Sequence, residues 1–202
     1  MSDDAKDAGF WNLPNGLTLA RIPLLVLGIV LIEWGIAGGA VIGAALLFVG
    51  MISDFLDGYL ARKMGLTSRW GAVMDPLIDK FFVLGLSTWL LMEGWLPGWC
   101  LWLYLAVLLR ELAVTGLRGG SLFPNKGGFG ADKMGKWKTT AFFVSQVGFL
   151  IAVAVIREGW SGVVGERVVE GFRLTGVGAF VIAAFLTVLS GWRYFSRMGR
   201  MV

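Results

Sequence analysis

The sequence contains no histidine and a single cysteine, Cys100. Without histidine there is no Ser-His-Asp or Cys-His triad and no usual histidine-built zinc centre. One cysteine excludes an intrachain disulfide. Acid–base chemistry must therefore rest on carboxylates, lysine, tyrosine or metal-bound water. Charge is scarce as well. Only 16% of the 202 residues are Asp, Glu, Lys or Arg, against about 25% in an ordinary soluble domain. Met1–Asp7 is acidic and polar, so no cleaved signal peptide is expected.

What is abundant is apolar sequence. Hydrophobic residues make up 56% of the chain, and the mean hydropathy is +0.73. A helix crossing a bilayer needs about 20 mostly apolar residues. Six runs meet that length: Leu17–Ile36, Gly39–Arg62, Trp70–Glu93, Leu96–Arg118, Gly135–Ile156 and Phe172–Tyr194. The expected fold is an all-α integral membrane protein of six transmembrane helices. A short interfacial segment, residues 1–16 with Phe10 and Trp11, precedes a six-helix membrane domain at 17–196 and a tail at 197–202. Short turns are expected at Trp95–Gly98 and Glu158–Gly165, both rich in turn-forming residues.

The net charge is +4. The basic residues lie mostly between apolar runs, which suits anionic head groups and not nucleic acid. With both termini cytoplasmic, only Arg157, Arg167 and Arg173 of the 18 Lys and Arg fall on the outer side. That asymmetry predicts both termini on the cytoplasmic side, and the expected location is a plasma or prokaryotic inner membrane. The ten Trp residues read as interfacial anchors.

Four aspartates interrupt the second and third runs: Asp54, Asp57, Asp75 and Asp79. Ionised carboxylates at membrane depth are costly and mark function by default. Asp54, Asp57, Gly58 and Ala61 share one helix face, as do Gly71, Asp75 and Asp79. The polar turn Lys63–Arg69 joins the two helices as an antiparallel pair. Four carboxylates drawn together need protons or cations between them. With oxygen ligands alone, the natural cations are Mg²⁺, Mn²⁺ or Ca²⁺. Gly58, Ala61 and Gly71 leave room either for a large ligand or for close helix packing. Aspartates in such runs also suit a cation or proton transporter. Against that, these acids lie near one membrane face and no paired broken-helix repeat is present.

The segment reads DFLDGYLARKMGLTSRWGAVMDPLID, from Asp54 to Asp79. It fits D-x2-D-G-x2-A-R-x8-G-x3-D-x3-D at every fixed position. The chain thereby resembles the CDP-alcohol phosphotransferases, integral membrane enzymes of phospholipid synthesis. The resemblance implies that Asp54, Asp57 and Asp75, with Asp79 nearby, ligate a pair of Mg²⁺ or Mn²⁺ ions that hold a CDP diphosphate. It implies Asp79 as general base. It places Asp57, Gly58, Ala61, Arg62 and Gly71 at the nucleotide. It also implies a homodimer and direct attack on the β-phosphorus.

Three further stretches, Asn12–Ile22, Leu108–Arg118 and Met134–Gln146, are similar to the phosphatidylglycerolphosphate synthases of that family. This implies CDP-diacylglycerol as donor and glycerol 3-phosphate as acceptor. A dianionic acceptor phosphate calls for cations, and Arg110, Arg118 and Lys136 are the expected pocket. Lys138 and Thr139 are secondary candidates, and Glu111 is placed to orient Arg110. The lysines suit lipid head groups equally well. Asn15, Thr18 and Arg21 stand near the expected nucleotide region, where Asn15 and Thr18 serve equally as helix caps. Inositol phosphate, serine, choline or a lipid alcohol are the alternative acceptors within the same family.

Overall fold

The computed structural model describes residues 13–64, 69–119 and 133–198. Side chains are described within these ranges except at 13–14, 54–64, 69–73, 117–119, 133–134, 194–195 and 197–198. The described residues form seven helices and no strand. These are α1 (Leu13–Glu33), α2 (Gly39–Met64), α3 (Arg69–Met92), α4 (Cys100–Gly119), α5 (Lys133–Arg157), α6 (Ser161–Val164) and α7 (Glu166–Met198). The expected interfacial aromatics Phe10 and Trp11 lie outside the described residues, as does most of the turn at 63–69.

All six long helices appear where apolar runs were read, but three begin elsewhere. Helix α1 already includes Leu13, ahead of the expected Leu17. Pro14 is tolerated there because first-turn N–H groups have no helical partner to lose. Helix α4 begins at Cys100, after the expected Leu96. Pro97 explains the delay, since proline disfavours helical geometry in the residue before it. The Cys100 N–H then donates to the Pro97 carbonyl at 2.8 Å. Helix α7 starts at Glu166, ahead of the expected Phe172. Its polar first turns are stabilised by Glu166 at the positive helix end and by the Glu170–Arg173 pair at 2.9 Å. At 33 residues, α7 is about 50 Å long, beyond the roughly 30 Å of bilayer hydrocarbon. The expected turn at 158–165 contains the single-turn α6.

Among the described residues, three stretches are long and apolar enough to cross a membrane: Asn15–Glu33, Gly135–Arg157 and Glu166–Arg193. Gly39–Ser53 is a shorter apolar stretch. Ile22, Val26 and Leu27 on α1, and Ile182, Phe185 and Val188 on α7, are exposed, as suits helices surrounded by lipid. In that setting helix association depends on packing and internal polar contacts, since lipid tails are as apolar as leucine.

The chain forms two compact units. The first comprises Met1–Leu86 with Val153–Val164. Here α1 and α2 pack backbone to backbone. A Cβ on Gly43 would collide with the Gly28 carbonyl oxygen and would lie 2.8 Å from Ile32 Cγ1. The loop after α5 closes this unit. Gly159, at φ 72°, ends α5 in a left-handed turn in which Trp160 N–H donates to the Val155 carbonyl at 2.9 Å. That turn presents Glu158 to the start of α2. Its Oε2 accepts from Gly38 N–H at 2.8 Å and its Oε1 from Ala40 N–H at 2.9 Å. The neighbouring Arg157 Nη2 lies 3.1 Å from both carboxylate oxygens of Glu33, at the end of α1.

The second unit comprises Ser87–Ala152 with Gly165–Val202. Helices α5 and α7 approach closely where a Cβ on Gly148 would lie 3.0 Å from the Phe172 carbonyl oxygen. Nearby, buried Ser145 donates its hydroxyl to the Gly176 carbonyl at 2.8 Å. Phe142 and Phe180 meet edge to face at 6.0 Å.

Three outcomes follow from this packing. Gly43→Ala should destabilise the protein by about 1–3 kcal/mol through overpacking, measured by thermal unfolding in detergent. Gly178→Ala, whose Cβ meets nothing within 4 Å, should be close to neutral in the same assay. The Glu158 carboxyl is held below its ordinary value of 4.5, mainly by the Gly38 N–H. Desolvation opposes that lowering, and the Ala40 and Val41 N–H groups add to it. A lowered folded value means that the contribution to stability is complete above 4.5 and disappears as pH falls through the folded value. Thermal unfolding of Glu158→Ala should therefore fall below the parent at neutral pH, and the gap should close on acidification.

Candidate functional site

The first unit gathers polar side chains from three helices otherwise built of apolar residues. Asn15, Thr18 and Arg21 recur at three-residue intervals, so they lie along one face of α1. All three are buried, with Thr18 and Arg21 each only 1% exposed. Thr18 Oγ1 donates to Asp75 Oδ1 of α3 at 2.9 Å. Arg21 Nε donates to Ser53 Oγ of α2 at 3.1 Å. Ser53 in turn donates to the Gly50 carbonyl at 2.8 Å. One helix face therefore holds both helices that carry the aspartate motif.

This settles one alternative. With α1 under way by Leu13, Thr18 lies beyond the first turn, and its hydroxyl is used across helices on a carboxylate. Ser53 carried no signal in the sequence reading, because a lone serine beside an aspartate is unremarkable. Only the position of Arg21 on the facing helix gives it meaning.

Two prolines sit inside these helices, Pro23 in α1 and Pro76 in α3. Each removes one backbone rung close to a polar side chain, Arg21 or Asp75. Such breaks are tolerated in membrane helices where side chains or neighbouring helices meet the freed groups.

Asp75 and Asp79 stand one turn apart on α3, and both are half-buried. Their donor set is oxygen alone, which fits a hard divalent cation. The backbone around Asp54, Asp57, Gly58, Ala61 and Arg62 is helical within α2, and that around Gly71 within α3. Their spacing along one helix face is thus retained. The side chains of these six residues lie outside the described residues, as does that of Arg118.

The second unit holds a separate charged cluster. Arg110 Nη1 lies 2.7 Å from Glu111 Oε1, and Lys138 Nζ of α5 lies 2.7 Å from the same oxygen. Arg110 Nη2 donates to Ser190 Oγ of α7 at 2.9 Å. Of the expected acceptor cations, Arg110 is thus joined by Lys138. Lys136 is exposed. Thr139 turns its hydroxyl back onto the Gly135 carbonyl at 3.1 Å. Glu111 thus pairs with both Arg110 and Lys138. Its burial, at 7% exposed, strengthens the Coulomb attraction in both pairs at a cost in desolvation, so removing either partner leaves a costly unmatched charge.

Comparison with known proteins bears on what these clusters serve. Residues 11–189 match the model of the CDP-alcohol phosphatidyltransferase family. The chain belongs to that family. It is an enzyme of the phosphatidyltransferase kind, and its apolar helices accord with a membrane protein of lipid synthesis. A CDP-diacylglycerol–glycerol-3-phosphate 3-phosphatidyltransferase of Bacillus subtilis (strain 168) is 32% identical over 200 residues, covering 93% of this chain and 95% of the relative. A protein of the same name from Rickettsia typhi is 34% identical, covering 91% of this chain and 95% of its own length. One from Haemophilus influenzae is 30% identical over 69% of this chain and 76% of its own.

Within this family member, the Thr18–Asp75 contact is a hydrogen bond from a buried hydroxyl to a carboxylate. Its loss in Thr18→Val should cost about 1–3 kcal/mol, read by thermal unfolding in detergent. Thr18→Ser keeps the donor and should recover most of that loss.

Proposed function

We propose that this chain transfers a phosphatidyl group from CDP-diacylglycerol to sn-glycerol 3-phosphate, giving phosphatidylglycerol phosphate and CMP. One observation carries the reading. The unbroken Asp54–Asp79 pattern sits in a chain that aligns along 93% and 91% of its length with relatives named for that reaction.

The acceptor hydroxyl oxygen attacks the phosphorus that bears the diacylglycerol. A new O–P bond forms as the bond to CMP breaks, and CMP leaves with the electron pair. The hydroxyl proton passes to the Asp79 carboxylate. Asp54, Asp57 and Asp75, with Asp79 beside them, are the residues that would hold two Mg²⁺ or Mn²⁺ ions. Those ions, when bound, supply positive charge to the diphosphate and to the departing CMP. Thr18 fixes one oxygen of Asp75, which limits the directions its other oxygen can take. Asp57, Gly58, Ala61, Arg62 and Gly71 form the nucleotide site, where the small residues let a cytidine lie close to helix backbone. Arg110 and Lys138, with Arg118 and Lys136, receive the acceptor phosphate. Arg suits a bidentate grip and Lys a point charge.

The same reading gives six membrane-spanning helices, both termini and the chemistry on the cytoplasmic side of a prokaryotic inner or plasma membrane, and a homodimer. The positive-inside asymmetry supports the orientation. The dimer rests on family resemblance.

Purified enzyme with CDP-diacylglycerol, Mg²⁺ or Mn²⁺ and a panel of alcohols should release CMP with glycerol 3-phosphate and yield a product of matching mass. Release with inositol phosphate, serine or choline, and none with glycerol 3-phosphate, would move the chain to another acceptor in the family. Asp79→Asn should abolish CMP release while leaving CDP-lipid binding largely intact. Full turnover in that variant removes Asp79 as the base.

A further inference from the structure

The last long helix is generic apolar sequence through most of its length, yet it contacts the charged cluster at Ser190. Ser190 Oγ donates to the Thr187 carbonyl at 2.8 Å. With its proton committed there, its lone pairs face the Arg110 Nη2 donor at 2.9 Å. The other terminal nitrogen of Arg110 is held by Glu111 at 2.7 Å. Two partners on two terminal nitrogens fix the plane of a guanidinium, which one partner alone leaves free to rotate.

The next residue on α7 completes the seat. A Cβ on Gly191 would lie 2.7 Å from Arg110 Cγ and 3.2 Å from its Nε. The arginine stem therefore crosses α7 where side-chain volume is absent. Arg110 Nε is buried there, and no described group accepts its N–H. Leaving such a donor unmet carries a cost, so the stem is not in this slot for the sake of a hydrogen bond at Nε. What the slot provides is the placement of the guanidinium head. A guanidinium carries five N–H donors. Glu111 and Ser190 take one from each terminal nitrogen, and the second N–H on each has no acceptor among the described residues.

We infer that Ser190 and Gly191 are positioning residues. They hold the Arg110 guanidinium in the orientation that receives the acceptor's phosphate, so that α7 helps set acceptor affinity. This rests on the reading of Arg110 as a phosphate ligand. Neither residue touches the acceptor; each acts through Arg110.

The test measures KM for glycerol 3-phosphate, KM for CDP-diacylglycerol and kcat on purified full-length enzyme in detergent micelles. Ser190→Ala should raise KM for glycerol 3-phosphate by about tenfold, the scale of one hydrogen bond to a charged group. KM for CDP-diacylglycerol should stay within about twofold. Ser190→Thr keeps the hydroxyl and should restore the acceptor KM. Gly191→Ala forces the arginine stem aside and should raise the same KM. Thermal unfolding of each variant identifies simple loss of fold, which would move both KM values or kcat without this selectivity.

Arg110→Ala separates the two levels of inference. If it raises the acceptor KM while Ser190→Ala and Gly191→Ala do not, the positioning role is wrong and the phosphate-ligand reading stands. If Arg110→Ala leaves the acceptor KM unchanged, that reading fails and the positioning role falls with it. An equal rise in both KM values for Ser190→Ala, unrepaired by Ser190→Thr, also overturns the proposal.

Discussion

A buried ionised side chain has no water to turn to, and this one constraint organises both units of the protein. The cost is several kcal/mol or more for an unmatched charge, comparable with the whole stability of a small domain. Each buried charged group described here has a protein partner. Arg21 reaches Ser53 and Asp75 receives Thr18. Glu111 lies between Arg110 and Lys138. These contacts contribute to helix association where the hydrophobic effect is weak. They also hold these carboxylates and cations at fixed places.

Small residues make those contacts possible. Gly28 and Gly43 bring α1 and α2 together in the first unit, and the polar face of α1 then reaches Ser53. Gly148 lets α5 approach α7 in the second unit, and Gly191 admits the stem of Arg110. Polar pairing and close backbone approach are thus one design seen from two sides. The side chains can be short, such as Thr18, Ser53 and Ser190, because the backbones are already near.

Much of this was legible in the sequence. Apolar run length located all six long helices, because the bilayer sets a minimum span. The fixed gaps of the aspartate motif gave the family, since eight positions at set spacing are a specific pattern. Helix ends were read less well. They depend on local events, such as Pro97 delaying α4 and the Glu170–Arg173 pair extending α7, which an average over apolar residues does not see. Within the candidate site, the partners of the charges were the hidden part. Glu111 adjoins Arg110 in sequence and was readable. Ser190 lies 80 residues from Arg110, and Ser53 lies 32 residues from Arg21. A serine carries no periodic or charge signal, so only tertiary structure reveals its use. That Lys138 meets Glu111 while Lys136 is exposed was hidden for the same reason. Both open α5, and only the direction of the helix face brings one of them to Glu111.

The cap that Glu158 places on α2 has a consequence for biogenesis. The acceptor of the Gly38 N–H lies 120 residues downstream of it. During synthesis, α1 and α2 leave the ribosome long before that carboxylate exists. Until the end of α5 has been made, the start of α2 must rely on water or lipid head groups for its unpaired N–H donors. The first unit is discontinuous in the chain for the same reason, since it is closed by residues 153–164. The early pair of helices is therefore held in a provisional state, and the arrival of a late loop makes it permanent.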